Sequence, residues 1–195
     1  MMAIICFDLI PEAIEMAGLA RTIIGTLSGV ILMLLCDSVV KKRNINTRNN
    51  SLLNTGIIVG IGLALHNFPE GLAIGSGFGA SIKLGYSLAI AILLHDIPEG
   101  LSMSIPMKNG GMSKIKALNY TFLSGVTTGI GAFFGALAGQ ISKAMISICL
   151  AIAAGAMLYI ISGELIPESN KLYSGKLSTI GNIIGFVIGM GVTRL

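Results

Sequence analysis

The sequence contains no tryptophan, only two histidines and three cysteines, and only 11% of its 195 residues are charged. Soluble domains carry about 25% charged residues, so there is too little charge here to solvate a globular surface, which must instead face lipid. Cys6, Cys36 and Cys149 are isolated, and no CxxC or paired spacing exists. That leaves no disulfide framework or cysteine metal motif to read; the three fit as small packing residues and say little about redox compartment. Without tryptophan the strongest interfacial anchor is missing, although Tyr86, Tyr120, Tyr159 and Tyr173 fall at or near the ends of apolar runs. Acidic residues are also scarce, nine in all, and the loops hold almost none of them.

What is present is apolar. Hydrophobic residues make up 53% of the chain, and the mean hydropathy is +0.85. About 20 apolar residues span a bilayer. Apolar runs fall near residues 2–18, 20–40, 52–80, 84–107, 115–139, 144–166 and 177–194. They predict an all-α, polytopic transmembrane helical bundle of about seven helices, with residues 1–195 forming a single transmembrane domain. The first run carries Asp8, Glu12 and Glu15 and has no basic flank before it, so it reads as a functional helix rather than a signal peptide. Gly131, Gly135 and Gly139 are spaced by four, as are Gly181, Gly185 and Gly189. Such stripes let helices approach closely, so they are expected to be packing devices first and a homodimer face second.

The basic residues divide unequally between the two sides. Lys41, Lys42, Arg43, Arg48, Lys108, Lys114, Lys116, Lys171 and Lys176 fall on one side, and Arg21, Lys83, Lys143 and Arg194 on the other. This bias places the 41–51, 107–116 and 168–176 loops in the cytoplasm. Residues 41–51 are then a short basic juxtamembrane loop, and nucleic-acid binding is not needed to explain them.

Most of the acids sit where they are costly. Asp8, Glu12, Glu15, Glu70, Asp96, Glu99 and Glu164 lie inside apolar runs, and Glu168 lies just past one. A charge at mid-membrane costs about 2.5–3.5 kcal/mol on insertion scales, so Glu70, Asp96 and Glu99 together would cost on the order of 10 kcal/mol unpaired. No intramembrane Lys or Arg is available to pair with them. A bound cation, protonation or water must offset the cost.

Both histidines and four of the five prolines belong to one repeated phrase. It reads Asp8-Leu9-Ile10-Pro11-Glu12, His66-Asn67-Phe68-Pro69-Glu70, His95-Asp96-Ile97-Pro98-Glu99 and Glu164-Leu165-Ile166-Pro167-Glu168. His66 and Glu70 are four apart and share a helix face, with Asn67 at its edge; His95, Asp96 and Glu99 repeat the arrangement. Both central copies lie about fourteen residues into their runs, near the midplane, on antiparallel helices whose faces can meet. Imidazole and carboxylate together suit Zn²⁺, and also Fe²⁺, Mn²⁺ or Co²⁺. Pro69 and Pro98 free backbone carbonyls, which are tolerated at membrane depth where they line a cavity, so broken helices are expected there. Gly71 and Gly100 follow each glutamate and permit close approach of a backbone or an ion. Ionised, Glu70, Asp96 and Glu99 sum to −3, and one divalent ion supplies +2, so a second ion or a protonated carboxylate is required.

The outer copies, Asp8/Glu12 and Glu164/Glu168, lack histidine and run in opposite directions through the membrane, as in an inverted repeat. They are expected to be entrance and exit acids, with Glu15 beside the first pair; acids solvated by headgroups are the alternative. Thr121, Ser124, Thr127 and Thr128 polarise one face of the fifth run and are candidates to line the cavity.

At these motifs the chain resembles the ZIP family of divalent-metal transporters, in its bacterial, GufA-like branch. The resemblance covers nearly the whole chain and rests on the paired His66–Gly71 and His95–Gly100 motifs, supported by Leu9–Glu12 and Leu165–Glu168. It implies eight helices in a three-plus-two-plus-three arrangement, with the seven runs here matching the second to eighth and the first absent. It further implies a primary metal site of His66, Glu70, His95 and Glu99, and a second using Asn67, Asp96 and the two glutamates as bridges. Binuclear members carry a Glu-Pro in the sixth helix after Ser-Gly; here Ser124-Gly125-Val126-Thr127 leads to Thr128-Gly129. That departure moves the expectation from two ions toward one ion and a shared proton.

The function expected is transport of divalent metal, zinc first and Fe, Mn, Co or Cd besides, toward the cytoplasm across the plasma (inner) membrane of a prokaryote. The alternatives are a metal-selective channel with the same ligands and an intramembrane metalloprotease. A protease would want His-Glu-x-x-His; this chain has His-x-x-x-Glu and no third histidine. The metal is cargo, the partner is the lipid bilayer, and no enzyme activity is expected.

Overall fold

A computed structural model describes residues 1–45, 52–172 and 175–192, with the side chains of 39–45, 54, 55, 164, 168, 172 and 192 outside that description. Among the described residues every element is helical. The short helices α1 (Met2–Ile4) and α2 (Ile10–Ala17) are joined by a π-helical turn, Ile5–Leu9. Next come α3 (Leu19–Ile45), α4 (Leu52–Ala80), α5 (Ile82–Asn109), α6 (Lys114–Ile141) and α7 (Lys143–Ile160). A second π-helical turn, Ile161–Leu165, leads into α8 (Ile166–Leu172), and α9 (Lys176–Val192) follows. These segments occupy the seven apolar runs. Among the described residues five helices are long and apolar enough to cross a membrane, and Lys176–Gly191 is a shorter apolar helix. The chain is an all-α integral membrane protein. Helix α3 continues to Ile45, so part of the expected 41–51 loop is helical; residues 46–51 lie outside the described residues.

The chain reverses at residues chosen for it. Gly18, with φ +83°, ends α2 directly before α3, and Gly111, with φ +95°, sits between α5 and α6. A side chain would strain the backbone at both. Ser81 and Ser142 cap α5 and α7 by accepting from the backbone N–H of Leu84 (3.1 Å) and Met145 (3.2 Å).

The prolines act differently from expectation. Pro69 and Pro98 lie inside continuous helices, so neither central motif breaks its helix. Near Pro69, Thr127 Oγ1 of α6 donates to the Ala64 carbonyl at 2.7 Å, one residue before the Leu65 carbonyl that the proline deprives of its helix partner. The discontinuities fall instead at the outer copies. Each π-helical turn ends two residues before a proline, Pro11 or Pro167. A proline ring collides with the carbonyl four residues earlier, here Phe7 or Gly163, and the wider turn relieves that collision.

Two helix pairs are locked by small residues. On α4 and α6, a Cβ on Gly71 would strike the Thr128 carbonyl, and one on Gly131 the Phe68 carbonyl. On α3 and α7, a Cβ on Gly29 would strike the Ile152 carbonyl, and one on Gly155 the Thr26 carbonyl. Backbones can therefore touch without large side chains between them. The Gly131/135/139 stripe packs as expected, whereas Gly181 and Gly185 face open space and line a cavity. Ile5, Leu9, Leu88, Ile92, Leu150 and Met157 form the main buried cluster, joining the first helix, α5 and α7. Tyr159 donates to Asp37 Oδ2 at 2.8 Å and ties α7 to α3. Many other large apolar side chains, such as Ile24, Leu93 and Phe122, are exposed, as a lipid-facing surface requires.

Candidate metal centre

The tight seam between α4 and α6 puts the α4 motif against a backbone it could not otherwise reach. Asn67 is buried and donates from Nδ2 to the Ser124 carbonyl of α6 at 3.1 Å. That bond fixes the amide and leaves Oδ1 directed elsewhere. Three residues on, Glu70 is 1% exposed. Burial this deep is costly for a carboxylate unless it has partners.

The partner is on α5. His95 Nε2 lies 3.0 Å from Glu70 Oε1 and 3.3 Å from Glu99 Oε1. Asp96 Oδ1 is 3.8 Å from the same nitrogen. One ligand atom from each of Glu70, His95, Asp96 and Glu99 can be chosen so that all lie within 4.8 Å of one another. Among the described residues this is where acids and histidine converge on one point.

The polar atoms left over fit a cation. Asn67 Oδ1, Glu70 Oε2, His95 Nδ1, Asp96 Oδ1 and Thr128 Oγ1 are buried and have no hydrogen-bond partner among the described residues. Buried polar atoms without partners are rare in proteins and call for an explanation. Four of the five are oxygens and one is an imidazole nitrogen, a donor set that suits a borderline divalent ion. The Thr128 carbonyl packs against Gly71, the residue after Glu70, through the same close crossing.

The other candidates are distributed around this centre. His66, on α4, is half-buried and lines a cavity of about 760 Å³ together with Glu99, Ser102, Ser178 and Asn182. It is not among the four clustered residues but shares that cavity with one of them. Thr121 and Thr127 donate to backbone carbonyls, and Ser124 Oγ does so at 3.4 Å. Of that polar face, Thr128 alone has a buried hydroxyl with no partner among the described residues.

Asp8 accepts weakly from Ser87 Oγ at 3.5 Å. Ser87 precedes His95 by eight residues, about 12 Å of α5. Glu12 is half-buried and Glu15 exposed, one and two turns further along the first helix. The backbone places Glu164 in the second π-helical turn and Glu168 in α8, but their side chains lie outside the described residues.

Residue-by-residue reading missed Ser102, Ser178 and Asn182, which line the cavity beside His66. Ser178 donates to Asn170 Oδ1 at 2.9 Å, and its hydroxyl lies 2.7 Å from that of Ser169, joining α9 to α8. Asn182 carried a usable signal: an amide directly before the apolar and glycine run 183–192.

A sequence profile described as "ZIP Zinc transporter" matches residues 37–195. Zinc transporter GufA of Myxococcus xanthus is 41% identical over 138 residues, covering 70% of this chain and 54% of that protein. Zinc transporter ZIP11 of Homo sapiens is 40% identical over 139 residues, covering 68% and 41%. Zinc transporter ZupT of Clostridium perfringens is 40% identical over 159 residues, covering 80% and 55%. The chain spans about half the length of these curated relatives.

Proposed function

The chain belongs to the ZIP zinc transporter family, and from that premise we propose that it carries divalent metal ions across a membrane toward the cytoplasm. The observation that carries this reading is the convergence of Glu70, His95, Asp96 and Glu99 within 4.8 Å, with unpartnered oxygens around them. Zinc is the first cargo, in keeping with the printed descriptions of its relatives; Fe, Mn, Co and Cd suit the same donors. Bacterial relatives support the plasma membrane of a prokaryote as the location.

Each residue has a physical role in this proposal. Glu70 and Glu99 supply charge and bridge the site, His95 supplies nitrogen, and Asp96 and Asn67 supply further oxygen. Lacking thiolates, such a site holds its ion less tightly than a structural zinc site, and release requires that. His66, on the cavity wall beside Glu99, takes the ion next. The cavity is bounded by the first half of α4, the second half of α5 and the start of α9. The positive-inside bias assigns those ends to the cytoplasm, which makes this cavity the exit. Asp8, Glu12 and Glu15 then lie on the entry side, and Glu164 and Glu168 on the exit side.

Thr128 stands where binuclear members carry a carboxylate, so the site is proposed to hold one ion. With three acids against one divalent charge, one carboxylate keeps or exchanges a proton. Uptake into liposomes, with a panel of metals and with wild type set against His66→Ala and Glu70→Ala, tests the proposal. Saturable zinc uptake that both substitutions reduce is the expected result. Uptake equal to that of empty liposomes, or uptake unchanged in Glu70→Ala, would sink it.

A further inference from the structure

A second groove lies outside the cavities just described, between α5 and α6. On α5 it is lined by Ile97, Leu101 and Ile105, with Gly100 and Ser104 between them. On α6, Ala117, Leu118 and Thr121 form the facing wall. The α5 residues recur at spacings of three and four, which is one continuous helical stripe. The volume is about 550 Å³, within the range of about 300–1,000 Å³ common for small-molecule sites. Ile97, Leu101, Ile105 and Leu118 are exposed, so the groove opens sideways toward lipid.

Its two ends differ in chemistry. Lys108 and Lys114 line one end, and Asp96 lines the other. Asp96 and Lys108 are twelve residues apart on one helix, about 18 Å. A single leaflet of hydrocarbon is half of about 30 Å deep. The groove therefore runs from the headgroup level to the midplane. The lysines stand on the side that the positive-inside bias assigns to the cytoplasm, the leaflet rich in anionic lipid in most membranes.

We infer that the α5–α6 groove is a binding site for an anionic phospholipid of the bilayer, with its phosphate between Lys108 and Lys114 and one acyl chain along Ile105, Leu101 and Ile97. Basic pockets between membrane helices on this side recognise anionic headgroups in this way. The chain end comes to rest beside Asp96, one of the four clustered residues, and closes that flank of the metal centre to lateral water. The inference stands apart from the transport reading, because lipid binding is measured with no metal present.

The test uses the full chain in detergent, titrated with phosphatidylglycerol or with phosphatidylcholine of the same acyl chains, and followed by native mass spectrometry. Phosphatidylglycerol is expected to bind about tenfold or more tightly than phosphatidylcholine. Lys108→Gln/Lys114→Gln is expected to remove that preference, and Lys116→Gln, on α6 but off the groove wall, to keep it. Ser104→Phe fills the groove and is expected to weaken binding of both lipids. Inorganic phosphate without acyl chains is expected to compete poorly. Equal binding of the two lipids, an undiminished preference in the double variant, or full competition by inorganic phosphate each overturns the inference. Because all four substituted side chains are solvent- or lipid-facing, circular dichroism that matches wild type separates loss of binding from loss of fold.

Discussion

His95 Nε2 lies 3.0 Å from Glu70 Oε1, although the two residues belong to different helices and are separated by 25 positions. This contact joins the two central motifs into one centre. Replacing a supporting partner of a metal ligand already costs about 10–100-fold in affinity. Glu70→Gln and His95→Ala should each lower zinc affinity by at least about tenfold, measured by competition with a chromophoric chelator. Glu15→Gln, at an exposed position on the first helix, should leave affinity at the centre unchanged.

His66 should behave differently from that pair. It lines the cavity with Glu99 rather than joining the four clustered residues. His66→Ala is therefore expected to slow transport in liposomes more than it weakens equilibrium zinc binding. A loss of affinity as large as that of His95→Ala would place His66 in the centre itself.

The seven apolar runs, the four repeated phrases and the pairing of the central two were legible because each is a local pattern. Charge in an apolar run is conspicuous, and the spacing of four assigns a helix face. That His95 joins the described cluster while His66 lines the cavity beside Glu99 was not legible. The two motifs are near-copies in sequence, and only the packing against α6 and α9 distinguishes their surroundings. The prolines misled for a related reason. A proline always removes a hydrogen bond, but that loss alone does not break a helix. Thr127 of α6 supports α4 near Pro69, while Pro11 and Pro167 are accommodated by π-helical turns. The second glycine stripe reads in sequence as packing, yet Gly181 and Gly185 line a cavity, because spacing does not say what lies opposite.

The α4–α6 seam should be intolerant of even a methyl group. A Cβ at Gly71 would meet the Thr128 carbonyl, so Gly71→Ala must part the helices beside Glu70. Overpacking of this kind costs about 1–3 kcal/mol, and a lower melting temperature with weaker zinc binding is expected. Gly125 on α6 has open space around it. Gly125→Ala should be neutral or slightly stabilising, since alanine in a helix gains about 0.5–1 kcal/mol over glycine. Fluorescence-monitored thermal unfolding in detergent compares the two directly.

Thr128 Oγ1 is buried and has no hydrogen-bond partner among the described residues, and its backbone packs against Gly71, next to Glu70. Thr128→Glu places a carboxylate there. Wild type should bind one zinc per chain at saturation, and the variant two, by equilibrium dialysis with elemental analysis. Two ions in wild type would show that the threonine hydroxyl, with Asn67 and Asp96, suffices for a second site.

Protons and metal should compete for the centre. Glu70, Asp96 and Glu99 carry −3 when ionised, and a single divalent ion leaves −1 in a membrane interior that disfavours net charge. Before binding, therefore, part of this charge is held by protons, and the arriving ion displaces them. The sign follows directly. Lowering the pH supplies the competitor and weakens zinc binding; raising it strengthens binding until the centre is fully deprotonated. While one proton is exchanged per ion, apparent affinity changes about tenfold per pH unit. Calorimetry at one pH, in buffers of different ionisation enthalpy, counts the protons released, and titrations at about pH 5.5 and about pH 7.5 give the slope. Heats independent of buffer, with affinity constant across that pH range, would mean that the ion enters a centre already stripped of protons.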